Sequence, residues 1–138
     1  MVEMEKILEI DVTCTSALEV EGKKQKIVMV GFDGTVNGRY FTGKVIGSGV
    51  DTQKYLKDDA GNFIGGSLSA RYMLEGEDYT GKKCRIFVEN NVPEKKDGVP
   101  IVTTDSTALS FLENIPLISR VESKDGGVIV EIFSSITA

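Results

Sequence analysis

Residues Ser67 to Asn91 read SLSARYMLEGEDYTGKKCRIFVENN, and most of the architecture follows from them. Leu68, Ala70, Tyr72 and Leu74 alternate with Ser69, Arg71, Met73 and Glu75. After an acidic, glycine-containing turn, Cys84, Ile86, Val88 and Asn90 alternate with Arg85, Phe87 and Glu89. Successive side chains of a strand point to opposite faces, so this period of two predicts a β-hairpin with one apolar face. Arg71 and Tyr72 are neighbours, so one faces a core and the other faces away. Apolar patterning puts Tyr72 inside with Leu68, Ala70 and Leu74. Arg71 then lies outside with Ser69 and Glu75; an inward Arg71 would need a carboxylate partner such as Asp51 or Glu75.

The same period recurs outward from the hairpin. Ile7 to Cys14, Gln25 to Phe32, Arg39 to Ile46, Val50 to Leu56, Pro100 to Thr104, Leu117 to Val121 and Gly127 to Ile136 all read as strands. Asp33-Gly34, Asn37-Gly38 and Asp125-Gly126 are turn dipeptides, because both residue types tolerate positive φ. Gly47-Ser48-Gly49 separates two of the strands. Gly43 inside another predicts a bend, a bulge or a close backbone approach. Thr107 to Asn114 is the one segment with helical character, limited by Pro116. Eight or nine short strands with so little helix predict one all-β domain over residues 1–138, a sandwich or an antiparallel β-barrel, with the barrel favoured because closure removes its edges. Lys26 to Phe32 is apolar on both faces, which predicts a strand covered on both sides or lying in a subunit contact.

Composition narrows the chemistry. The 138 residues carry a net charge of -5 and no histidine. An acidic surface disfavours nucleic acid and anionic membranes as partners. Without histidine there is no Ser-His-Asp or Cys-His nucleophile and no common zinc or non-haem iron site, so no metal or other cofactor is expected. Proton transfer would fall to a carboxylate, Lys, Tyr, Cys or a bound water. No run approaches the ~18 apolar residues of a membrane helix, and the acidic start MVEMEKILEIDVTC does not read as a signal peptide. The expected location is the cytoplasm, where Cys14 and Cys84 would be buried or half-buried thiols.

The polar motifs have simple readings. Gly47-Ser48-Gly49-Val50-Asp51 resembles a phosphate loop but leads into a strand, whereas a dinucleotide fingerprint needs a helix. Asp58, Asp59 and Asn62 lack the spacing of a calcium loop. Glu75, Glu77 and Asp78 read as a solvated turn, and Lys82-Lys83 and Lys95-Lys96 as solvated faces. Asp51, Gln53 and Tyr55 share one strand face, either a barrel lumen with a few placed polar groups or an exterior. The burial tendencies of Asp and Gln favour the exterior.

Four stretches together resemble a known family: GRYFTGKVIGSGVDTQ (Gly38 to Gln53), SARYMLEGED (Ser69 to Asp78), RIFVENN (Arg85 to Asn91) and FLENIPLISRVESKDGGVIVEIF (Phe111 to Phe133). In order and spacing they are similar to the domain of unknown function 3237 family, also called uncharacterised protein family 0311. The family pattern falls on Gly43, Gly49, Asp51, Gln53, Ala70, Arg71, Tyr72, Leu74, Glu75 and Asn90. Thr52 replaces the usual aromatic between the Asp and the Gln, and Lys54 to Gly66 is a longer connection than the family's usual one. The resemblance implies a small barrel of calycin-like or allene-oxide-cyclase-like shape, and it supplies no reaction.

These readings lead to a barrel that binds a small, mainly apolar molecule in its lumen. Asp51, Gln53, Tyr72 and Asn90 would be polar lumen groups, and Arg71 a lumen cation or an ion-pair partner. Two alternatives stand beside it. One is a cofactor-free isomerase or cyclase, with Asp51 as acid/base and Arg71 or Tyr72 stabilising an enolate-like oxygen. The other is a side-chain-filled barrel that serves in a homo-oligomer.

Overall fold

Eight antiparallel strands form one sheet in a computed structural model that describes residues 2–94 and 97–137. The strands are β1 (Val2–Glu21), β2 (Gln25–Asn37), β3 (Phe41–Lys57), β4 (Phe63–Asp78), β5 (Lys83–Val92), β6 (Val99–Thr104), β7 (Leu117–Lys124) and β8 (Gly127–Thr137). Their order in the sheet is β6-β5-β4-β3-β2-β1-β8-β7. The Lys95-Lys96 pair lies outside the described residues.

The sheet curls into a barrel-like shape until its two edge strands meet. Gly98 N donates to Ser119 O at 3.1 Å and Ser119 N donates back to Gly98 O at 2.9 Å, which joins the approach to β6 with β7. Ser119 Oγ donates to Asn90 Oδ1 across this seam at 2.9 Å. Gly98 is required here by space, since a Cβ at this position would lie 2.5 Å from Asn90 Oδ1 and press on Ser119 Oγ. The closing strands therefore meet through a residue without a side chain and a buried polar pair.

The inward alternation fills the interior. Ile10, Val12, Phe32, Val36, Val45, Tyr72, Leu74, Ile86, Val88, Val102, Leu117 and Ile132 are all buried in one cluster. Each such aliphatic side chain contributes roughly 1.5–3 kcal/mol on leaving water. A single 3₁₀ turn, Ser110–Glu113, supports one end of the barrel, with Leu109 and Leu112 buried against the core. Among the described residues no helix is long and apolar enough to cross a membrane.

Asp33-Gly34 reads as a turn but runs inside β2, where the pairing with β3 slips between Phe32 and Thr35; two further local features depart from the sequence pattern. Gly47-Ser48-Gly49 does not end a strand; it is a bulge inside β3, with Gly47 and Ser48 at φ of 68° and 64°. The bulge absorbs two extra residues of β3, which takes six positions from Val45 to Asp51 where β4 takes four from Leu74 to Ala70, so both stay on the inner face. Gly49 is packed against the ring of Phe32. The second feature is strand length. β1 pairs with β8 only as far as Thr13 opposite Gly127, and β4 pairs with β5 only from Leu68 opposite Val92. Beyond those points the upper parts of β1 to β4 continue as a four-stranded tongue above the barrel's open end.

Candidate ligand site at the open end of the barrel

The register decides what the open end presents. Ala70 and Leu68 follow Tyr72 and Leu74 along the inner face of β4, and they stand opposite Asp51 and Gln53 of β3. On the other side Asp51 and Gln53 stand opposite Val30 and Val28 of β2. Asp51 and Gln53 are thus half-buried on the inner face. The exterior placement favoured by residue type is corrected by cross-strand pairing: the face of Ala70 is fixed by the core below it.

Three side chains form a relay along this face. Tyr55 Oη donates to Gln53 Oε1 at 2.7 Å, and Gln53 Nε2 donates to Asp51 Oδ2 at 3.0 Å. The relay descends from the exposed Tyr55 to the partly buried Asp51. There it stops. Asp51 Oδ1 is buried without a hydrogen-bond partner among the described residues, and so is the hydroxyl of Tyr72. Tyr72 is only 4% exposed, and its ring packs edge-on against Phe32 with centroids 5.5 Å apart. Burial pushes the Tyr72 phenol well above its ordinary range, so it stays protonated and able to donate. Burial also raises the Asp51 carboxyl, against the lowering effect of the Gln53 hydrogen bond.

Space for a ligand borders the relay. An open groove of about 560 Å³ is walled by Gln53, Tyr55, Phe63, Ile64, Leu68 and Val92, among others. Tyr55 and Phe63 meet edge to face with centroids 6.3 Å apart. Most of this wall is apolar, and Gln53 connects it to the buried carboxylate. Such a surface suits a molecule with an apolar body and few polar atoms.

The other sequence-predicted residues lie elsewhere. Arg71 is on the outer face, its side chain 65% exposed and 3.5 Å from Glu89. It borders a larger outer groove of about 950 Å³, which also includes Val50, Thr52, Lys54 and Ser69. Asn90 is buried on the inner face, as its alternation with Glu89 predicts, and its Oδ1 is bonded to Ser119 at the seam. The structure therefore brings Asp51 and Gln53 together, places Tyr72 on the adjoining inner face, and separates Arg71 from them.

Two residues differ from their expected setting. Asp78 is buried rather than solvated. Its carboxylate accepts from Thr80 N at 2.9 Å, Lys82 N at 3.2 Å and Ser106 Oγ at 2.7 Å, and Ser106 Oγ in turn accepts from Leu109 N at 3.1 Å. The Thr80 and Ser106 hydroxyls hold its carboxyl down at about 2. The signal available in sequence was Asp78-Tyr79-Thr80-Gly81, an Asx-turn pattern. Cys14 is exposed, just past the point where β8 begins at Gly127 opposite Thr13, while Cys84 is buried; both are free thiols. Among the described residues, no group of three or more Cys, Asp or Glu side chains gathers as a metal site would require.

No family model matches the chain, and no curated protein does. Solved structures do. A protein of unknown function from Clostridium acetobutylicum ATCC 824 superimposes with a TM-score of 0.77 at 18% identity, covering 99% of this chain and 100% of its own. A protein described as beta-barrel like from Acinetobacter baumannii AYE gives 0.75 at 16% identity, covering 99% and 97%. A protein from Penicillium herquei described as an enzyme gives 0.71 at 15% identity, covering 98% and 95%. At these identities the likeness concerns the fold.

Proposed function

We propose that the protein binds a small, mainly apolar molecule at the open end of its barrel. The observation that carries this reading is the pair of buried, unpartnered oxygens, Asp51 Oδ1 and Tyr72 Oη, on the inner face below Gln53, which itself lines an apolar groove. A buried polar atom without a partner costs about 1–3 kcal/mol, so it persists where something outside the chain completes it. An ionised Asp51 accepts only, and the Tyr72 hydroxyl can donate. The ligand would place a donor against the first oxygen, an acceptor against the second, and its apolar body along Leu68, Val92 and Phe63. The packed interior supports a site at the barrel's open end over an enclosed lumen. The resemblance to the domain of unknown function 3237 family agrees with this placement through Asp51 and Gln53.

The test is a native mass spectrum of freshly purified protein. An adduct of a few hundred daltons, lost on denaturation and depleted in Tyr72→Phe, supports the reading. A bare chain mass, together with no binding of a broad panel of apolar small molecules, refutes it.

A second reading is supported by the raised carboxyl of Asp51. A cofactor-free isomerase or cyclase would use Asp51 as its acid/base, and the Tyr72 hydroxyl would stabilise an enolate-like oxygen. The description of one fold neighbour as an enzyme agrees with it. Arg71, on the outer face, has no part in either reading. Asp51→Asn should abolish turnover while leaving binding intact; equal loss of both counts against an acid/base role.

A further inference from the structure

We infer that a second copy of this chain pairs with the free upper edge of β1, extending the tongue into a continuous two-fold-related sheet. Past Thr13 this strand has lost β8, so residues 15–21, TSALEVE, are paired with β2 on one side only. Among the described residues no strand covers the other side. An open row of N–H and C=O groups is a template for another strand, and edges are protected by short length, Lys, Pro, bulges or inward-pointing charges. This edge is seven residues long, contains neither Lys nor Pro, and its two inward acids are neutralised by Lys26 and Lys57.

Side chains on the edge fit a copy of themselves. Leu18 and Val20 point to the outer face, 71% and 65% exposed. They continue into Met29 and Ile27, their cross-strand partners on β2. Ser16, Gln25, Val50, Thr52, Leu56, Ser67 and Ser69 share this face by register, and its charges are Lys54 and, opposite Val50, Arg71. A chain with net charge -5 repels its copies, and the outer side of this edge, Ser16, Leu18 and Val20, carries no acid to oppose a second strand. The two acids of the edge itself, Glu19 and Glu21, point inward and are matched by Lys26 and Lys57.

A two-fold axis normal to the sheet restricts the register. It keeps outer faces outer, so paired residues differ by an even number. Centring on Glu19 sets Glu19 against itself, and centring on Val20 sets Glu19 against Glu21. Centring on Leu18 sets Leu18 against Leu18, Ala17 against Glu19, Ser16 against Val20 and Thr15 against Glu21. This register sets Leu18 against its own copy and each acid against an uncharged residue, Ala17 or Thr15. A closed two-fold contact of this kind uses one patch twice and does not propagate into filaments.

The experiment is light scattering across a concentration series, with hydrogen exchange read at residues 15–21. The expected result is a particle of twice the chain mass whose edge amides become protected as it forms. Leu18→Lys, at a position exposed in the single chain, should leave the circular dichroism unchanged and raise the dissociation constant about tenfold or more by setting like charges opposite each other. Ile64→Lys marks the tongue's other uncovered edge, on β4, and should leave the dimer intact. A particle that stays monomeric, a larger ring or polymer, or an assembly broken by Ile64→Lys but not by Leu18→Lys overturns the inference.

Discussion

Replacing Tyr72 by Phe removes one oxygen and leaves the ring. The ring keeps its edge-on contact with Phe32 at 5.5 Å and its place in the buried cluster. In most proteins a buried tyrosine hydroxyl is bonded, and its removal costs about 1 kcal/mol. Here the hydroxyl is buried without a partner among the described residues. Its removal relieves a desolvated group, worth about 1–3 kcal/mol, at no cost in lost bonds. For a domain of this length each kcal/mol moves the melting midpoint by roughly 3–4 °C. The ligand-free variant, stripped by unfolding and refolding, should therefore melt at least a few degrees above wild type. Its urea midpoint should rise without a change in slope. The ligand-bound order should reverse, because wild type alone gains the ligand's bond to the hydroxyl. A ligand-free variant less stable than wild type by about 1 kcal/mol would mean that the hydroxyl is already satisfied, and would refute the reasoning.

Three further outcomes follow from the same structure. Gly98→Ala places a methyl group against Ser119 Oγ and Asn90 Oδ1 and should destabilise by about 1–3 kcal/mol in urea unfolding, with faster exchange of the Ser119 amide as the seam opens; unchanged exchange there contradicts the seam. Asp51 has its folded carboxyl raised above the ordinary 3.8, so the native state binds more protons there and stability falls as pH rises through that region. Asp51→Asn should stabilise at neutral pH and flatten this fall, as read from urea midpoints across pH. Asp78 has the opposite sign. Held at about 2, its contribution is present above 3.8 and lost as pH drops toward 2, so Asp78→Asn should be less stable than wild type at neutral pH and converge with it at pH 2.

The sequence made the wall of the barrel legible because alternation is local. Tyr72 inside and Arg71 outside follow from Leu68, Ala70 and Leu74 alone, and the structure keeps both assignments. Features set by residues distant in sequence were not legible. Gly47-Ser48-Gly49 reads as a break, yet the pairing of β3 with both β2 and β4 carries the strand through it as a bulge. Asp51 and Gln53 read as exterior by type, and only their partners Ala70 and Leu68 show which way they face. The seam joins Gly98 to Ser119 through one bridge, too short to leave a periodic trace. Asp78 looks solvated until Ser106, on the far side of β5 and β6, is seen to reach its carboxylate. The exposure of Cys14 likewise follows from where β8 begins.

Whether the open end holds a ligand completing Asp51 Oδ1 and Tyr72 Oη is read from a high-resolution crystal structure of protein purified without denaturation. Non-protein density is expected in the groove beside Gln53 and Leu68, with polar atoms within hydrogen-bond distance of both oxygens. Ordered waters satisfying both oxygens, with an otherwise empty groove, would contradict it.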